Sequence, residues 1–177
     1  SHIDITNNAA AGAGGMANWD SSPTLTNVYI RGNIGTNMAG GIFMSNAAPI
    51  LTNVIITGNY SDGMGGGIYM NALSTPILTN ITISGNKAIS GGAIFNLNNY
   101  SAPIIRNSII YGNSSGYTSN LGFPQPENKA GIESSLIQGL TDASKQNIPF
   151  TNPFFVDMPS YDLAPFTSGN YHLQTGS

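Results

Sequence analysis

The chain repeats itself, and the repeat limits what it can become. PTLTNVYIRGN from Pro23, PILTNVIITGN from Pro49, PILTNITISGN from Pro76 and PIIRNSIIYGN from Pro103 are copies of one segment, their prolines 26, 27 and 27 residues apart. A partial copy, IDITNN from Ile3, precedes them. A second motif recurs between the copies: Ala39-Gly40-Gly41-Ile42-Phe43, Gly65-Gly66-Gly67-Ile68-Tyr69 and Gly91-Gly92-Ala93-Ile94-Phe95, with Ala13-Gly14-Gly15-Met16 upstream. A fixed period of this size is the mark of stacked units that cannot bury their apolar faces alone.

The stacked unit is a β-coil rather than a helical hairpin. Only 7% of the residues are charged, so the good helix formers Glu, Lys and Arg are scarce, while Gly and Asn each number 22. Apolar residues alternate instead of recurring every three to four positions. In the second copy Leu51, Val54 and Ile56 are expected on one side and Ile55 and Thr57 on the other, with Asn53 a candidate for a bend. Each strand must then pair in parallel with its copy in the next coil, at a rise of about 4.8 Å per coil. The expectation is an all-β fold, a right-handed parallel β-helix (solenoid) of about five coils, the hand following from the rule for long parallel crossovers.

Equivalent positions in such a stack form columns. Leu25, Leu51, Leu78 and Ile105 make one; Val28, Val54 and Ile81 a second, broken by Ser108; Ile30, Ile56, Ile83 and Ile110 a third; Ile42, Ile68 and Ile94 a fourth. These are the predicted core. Two asparagine columns run beside them, Asn27, Asn53, Asn80, Asn107 and Asn33, Asn59, Asn86, Asn113, expected to form structural ladders of stacked amides. The glycine before each member of the second column suits a left-handed backbone.

The single domain 1–177 divides into regular coils over 1–113, a loop insertion at 114–131, a degenerate coil at 132–139 (IESSLIQG) and a C-terminal cap or tail over 140–177. Pro124 and Pro126 break any strand ladder in the insertion. The aromatic-rich 150–173 stretch is the candidate cap for the open end.

Gly91-Gly92-Ala93-Ile94 followed by Phe95-Asn96-Leu97-Asn98 is a GGAI and an FxxN, and Phe43-Met44-Ser45-Asn46 behind Gly40-Gly41-Ile42 is a second FxxN. These residues resemble the repeats of chlamydial polymorphic outer membrane proteins. The third copy departs, since Tyr69-Met70-Asn71-Ala72 has its Asn one place early. The resemblance covers residues 1–113 and implies a β-helix in a secreted or surface-displayed bacterial protein. Asn152-Pro153-Phe154-Phe155-Val156-Asp157 and Gly169-Asn170-Tyr171-His172-Leu173-Gln174 are similar to the end of bacterial choice-of-anchor β-helix proteins, where such a segment closes the helix before a surface anchor.

Several function classes lose support. Net charge is −3 with five scattered Lys or Arg, so no basic stripe meets nucleic acid. No apolar run approaches the ~20 residues that span a bilayer. No charged-then-apolar leader is present, so any signal peptide is expected to be removed or to lie elsewhere. Cysteine is absent, which excludes disulfides and thiolate metal sites. The calcium repeat GGxGxDxUx is not matched by the stretches at Gly14 or Asp62.

Catalysis on polysaccharides, common in this shape, needs carboxylates gathered on one face. The acids Asp4, Asp20, Asp62, Glu127, Glu133, Asp142, Asp157 and Asp162 share no column with one another, and Arg31 lies above Thr57 and Ser84, away from any aligned acid. No catalytic, cofactor-binding or metal residue and no cofactor is therefore assigned. His172 and His2 read as surface residues, and the Thr26, Thr52, Thr79 rank as a solvated strand face rather than an ice-binding one. Trp19, Tyr29, Phe43 and Tyr69 stack on sugars if outward and pack if inward; the sequence leaves both open. The expected function is a non-enzymatic extracellular or outer-membrane-associated scaffold, adhesin-like, whose partner is a host or neighbouring-cell protein or glycan. The alternative is a fragment of a carbohydrate-active enzyme, a polysaccharide lyase or glycoside hydrolase, with its site in 114–177.

Overall fold

A computed structural model of the chain describes residues 2–97, 101–116, 131–140, 144–149 and 151–175. Three parallel sheets run the length of a β-solenoid of about five turns. The long sheet takes Ile3–Thr6, Thr24–Arg31, Ile50–Thr57, Ile77–Ser84, Ile104–Arg106 with Ile109–Tyr111, and Ile132–Glu133 with Leu136–Ile137. The middle sheet stacks two-residue strands at Ala9–Ala10, Ile34–Gly35, Tyr60–Ser61, Lys87–Ala88 and Ser114–Ser115. The third stacks Met16–Trp19, Ile42–Ser45, Ile68–Asn71 and Ile94–Asn96. The middle sheet falls on the residues directly after Asn8, Asn33, Asn59, Asn86 and Asn113.

Register follows the repeat residue for residue. Leu25 pairs with Leu51 and Leu51 with Leu78; Ile30, Ile56 and Ile83 align likewise, and Ile42, Ile68 and Ile94 align in the third sheet. The predicted columns are the core, with Leu51, Ile56, Leu78, Ile83, Ile68, Ile94 and Ile105 fully buried. Burying one such side chain contributes roughly 1.5–3 kcal/mol, so the columns are the main stabilising term.

Leu51 and Val54 both face this core although three positions apart, which a regular strand forbids. Asn53 resolves the conflict. It adopts φ 55, as Asn27 (57), Asn80 (54) and Asn107 (49) do, and this left-handed residue resets the alternation within each long strand.

Ser108, which interrupts the Val28 column, is buried and begins a polar replacement for it. Its Oγ accepts the Ile81 N–H at 3.2 Å, Ser135 Oγ accepts the Ser108 N–H at 3.1 Å, and Asn147 Oδ1 accepts the Ser135 N–H at 3.2 Å. Side-chain oxygens thus take over this one column in the last coils while Ile110, Ile132 and Ile137 continue the apolar core, and Asn147 and Ile148 extend the stack past the degenerate coil.

The last segment, read as a cap or tail, starts beside the last coil and returns along the stack. Residues 151–175 fold back along its flank, with Phe155–Asp157 antiparallel to Asn170–Leu173. Phe154 and Leu173 lie beside Ile109 and Leu136, Met158 beside Gly112, Phe166 beside Gly85 and Gly58, and Thr167 beside Gly32. The Phe166 N–H donates to Gly58 O at 2.9 Å. These four glycines have φ between 60 and 66, but a second reason also requires them: a Cβ at Gly85 would stand 2.5 Å from the Phe166 ring. A column without side chains is the track on which the tail lies.

Candidate binding groove

The outer face of the long sheet and the returning tail enclose a groove. Its floor is the outward column Tyr29, Ile55, Thr82, aligned across three coils. One section, about 430 Å³, is lined by Tyr29, Arg31, Ile55 and Thr57 on the sheet and by 167–172 on the tail. A second, about 540 Å³, shares Tyr29 and Ile55 and extends to Asn27, Asn53, Asn80, Thr82 and His2. The second section runs along the stack across three coils, and the first lies beside it with Tyr29 and Ile55 in common.

Arg31 fixes one end. Its guanidinium lies 2.9 Å from Asp4, donates to Thr167 O at 3.3 Å and sits 5.2 Å from the centre of the Tyr29 ring. Arg31 was expected to lie away from any aligned acid; its own column holds none, and Asp4 reaches it from the column of Tyr29. Asp4 pairs with Tyr29, and Arg31, two residues on, projects from the same face within diagonal reach. His2 packs on Tyr29 at 4.7 Å between ring centres and stands 3.2 Å from Asp4. Thr57, placed on the outward side, is nevertheless buried, because the tail covers it. Beside it, burial pushes the Tyr171 phenol up to about 12; Asp157 adds to the rise and Thr57 opposes it.

The other acids stand apart. Glu133 pairs with Arg106 at 3.1 Å, Asp162 with Lys87 at 3.6 Å, and Asp20 accepts from Asn46 Nδ2 at 2.7 Å. Glu127 and Asp142 fall outside the described residues. Among the described residues no three His, Asp or Glu gather as a metal site would require, and no helix is long and apolar enough to cross a membrane. His172 lines the groove from the tail side. Thr26, Thr52 and Thr79 are aligned and at least partly exposed, with Arg106 next in line.

The aromatics divide. Phe43 and Tyr69 are buried in a second apolar cluster outside the third sheet, with Ala39 in the cluster and Met38 packed against it, and they stack edge-on at 5.3 Å. Tyr69 meets Phe95 at 5.4 Å, and Trp19, still largely exposed, meets Phe43 at 4.6 Å. Burial raises the Tyr69 phenol. Of the four aromatics in question, Tyr29 is the one that lines the groove. The tail wall was missed from sequence; a column of glycines facing an unplaced aromatic stretch was the available signal.

The two asparagine columns differ in kind. Asn33, Asn59, Asn86 and Asn113 are buried, and each of the last three accepts, at Oδ1, both the backbone and the side-chain N–H of the asparagine one coil back, at 2.9–3.0 Å. Asn8 extends this inner rank toward the N-terminus. Asn27, Asn53 and Asn80 are exposed and joined by one bond per step, each 3.2 Å.

The family described as the Chlamydia polymorphic membrane protein repeat matches residues 53–71 and 80–97. Both stretches run from an outer-rank asparagine through an inner-rank one and the glycine motif into the third sheet. No curated protein and no solved structure matches the chain. Polymorphic membrane proteins are outer-membrane and surface associated in Chlamydia.

Proposed function

We propose that this chain, two of whose coils carry the Chlamydia polymorphic membrane protein repeat, is a non-enzymatic scaffold of a bacterial surface protein that presents its outer faces to a partner. One observation carries the reading: a groove along the outside of the stack, framed by residues whose charges are already paired. A solenoid held by columns of identical contacts is a rigid support for such a face. Among the described residues no carboxylate lines either section, whereas glycosidic cleavage ordinarily uses two.

The test is depolymerisation. Purified protein would be incubated with pectins, glycosaminoglycans and bacterial glycans, and polymer size followed by gel filtration. Unchanged polymer, with the protein folded by circular dichroism, is the expected result. Shortened chains would overturn the scaffold reading in favour of a carbohydrate-active enzyme.

A further inference from the structure

The outer asparagine rank holds chemistry that stacking leaves unused. A primary amide has two N–H donors and two acceptor lone pairs. Each link of the rank consumes one N–H and one lone pair, so Asn53, in the middle, retains one of each, and Asn27 and Asn80 retain at least as much. All three are exposed and follow one another at about 4.8 Å along the groove. A donor and an acceptor side by side are what a pair of neighbouring hydroxyls requires. The floor beside them offers the half-buried ring of Tyr29 and the side chain of Ile55, and the neighbouring section, across those two residues, adds Ser168 and Asn170 of the tail.

We propose that this groove binds a neutral polysaccharide chain lying along the stack axis, its hydroxyl pairs on the Asn27–Asn53–Asn80 rank and a sugar ring against Ile55 and the part of Tyr29 that His2 and Arg31 leave uncovered. The inference rests on the scaffold reading above and names its ligand. The charge balance selects against an acidic polymer, since the groove's arginine is paired with Asp4. An extended peptide would need an open strand edge for its backbone, whereas the central strands of the long sheet are paired on both sides and offer only side chains. Nucleic acid would need several unpaired cations.

The experiment is affinity electrophoresis of the chain through gels containing dextran, galactomannan or mixed-linkage β-glucan, with hyaluronan as the acidic comparison. The triple variant N27G/N53G/N80G removes the amides while keeping a residue that tolerates positive φ. Retardation by at least one neutral glycan is expected, with apparent affinity falling at least about tenfold in the variant, equivalent to the loss of one or two net hydrogen bonds. Tyr29→Thr, which copies Thr82 of the same column, is expected to give a similar loss and serves if the triple variant unfolds. No retardation by any neutral glycan, equal retardation of wild type and variants, or preference for hyaluronan would overturn the proposal. Those outcomes leave the scaffold reading standing. Only shortened polymer, checked in the same samples, removes it.

Discussion

Two ranks of asparagine climb the same solenoid at the same period, and the molecule uses them oppositely. The inner rank is sealed in the turn between the long and middle sheets, where each Oδ1 from Asn59 to Asn113 holds two N–H groups of its neighbour. The outer rank lies at the bend of each long strand, in solvent, with one bond per step. Burial makes the difference. In a low-dielectric turn an unpaired amide or backbone N–H costs its full desolvation, so every valence is taken. At the surface water supplies the rest, and the amides stay available. What the outer asparagines contribute to the fold is their backbone, which visits positive φ at small cost.

That contrast can be broken most severely from the inside. Asn59→Ala leaves the backbone and one side-chain N–H of Asn33 without their acceptor in a buried site, and takes the side-chain donor from Ile30 O and from Asn86 Oδ1, which keeps the backbone N–H of residue 59; it is expected to cost about 3 kcal/mol in chemical unfolding. Gly58→Ala should cost about 1–2 kcal/mol, for its φ of 60 and for the collision of the new Cβ with the Phe166 carbonyl and ring. Its effect should fall on the tail first, seen as faster proteolytic cleavage within 151–175 while the stack stays resistant.

A smaller effect is expected from pH. The Tyr171 phenol is held neutral by burial, so its contribution to tail docking is complete below its ordinary value of 10.0 and lost as pH rises through about 12. Spectrophotometric titration of wild type against Tyr171→Phe should reveal one phenol titrating near 12, and a difference centred near 10 would mean that Tyr171 is not covered. The smallest change is at the outer rank: Asn53→Gly should stay within about 0.5 kcal/mol of wild type, because glycine keeps the backbone and only an exposed bond is lost.

The core was legible because stacking is one-dimensional: once Pro23, Pro49, Pro76 and Pro103 are aligned, Leu51 must lie over Leu78 and Asn59 over Asn86. The columns were therefore readable while some orientations were not. Phe43 and Tyr69 could be assigned to neither face, since what buries them is a cluster on the outside of the third sheet with Ala39 and Met38, which the inward columns do not reveal. The Asp4–Arg31 pair was hidden because it forms diagonally, between residues not in the same column. The tail was least legible of all. It has no copy to align with, and its contacts with Gly32 and Gly58 span more than a hundred residues of sequence.

The most direct test of this division is hydrogen exchange of the asparagine side-chain amides, followed by nuclear magnetic resonance. The Nδ2 protons of Asn33, Asn59 and Asn86 should exchange only through opening of the stack, while those of Asn27, Asn53 and Asn80 should exchange at rates close to those of free asparagine. Equal protection of the two ranks, or faster exchange at the inner one, would contradict the account.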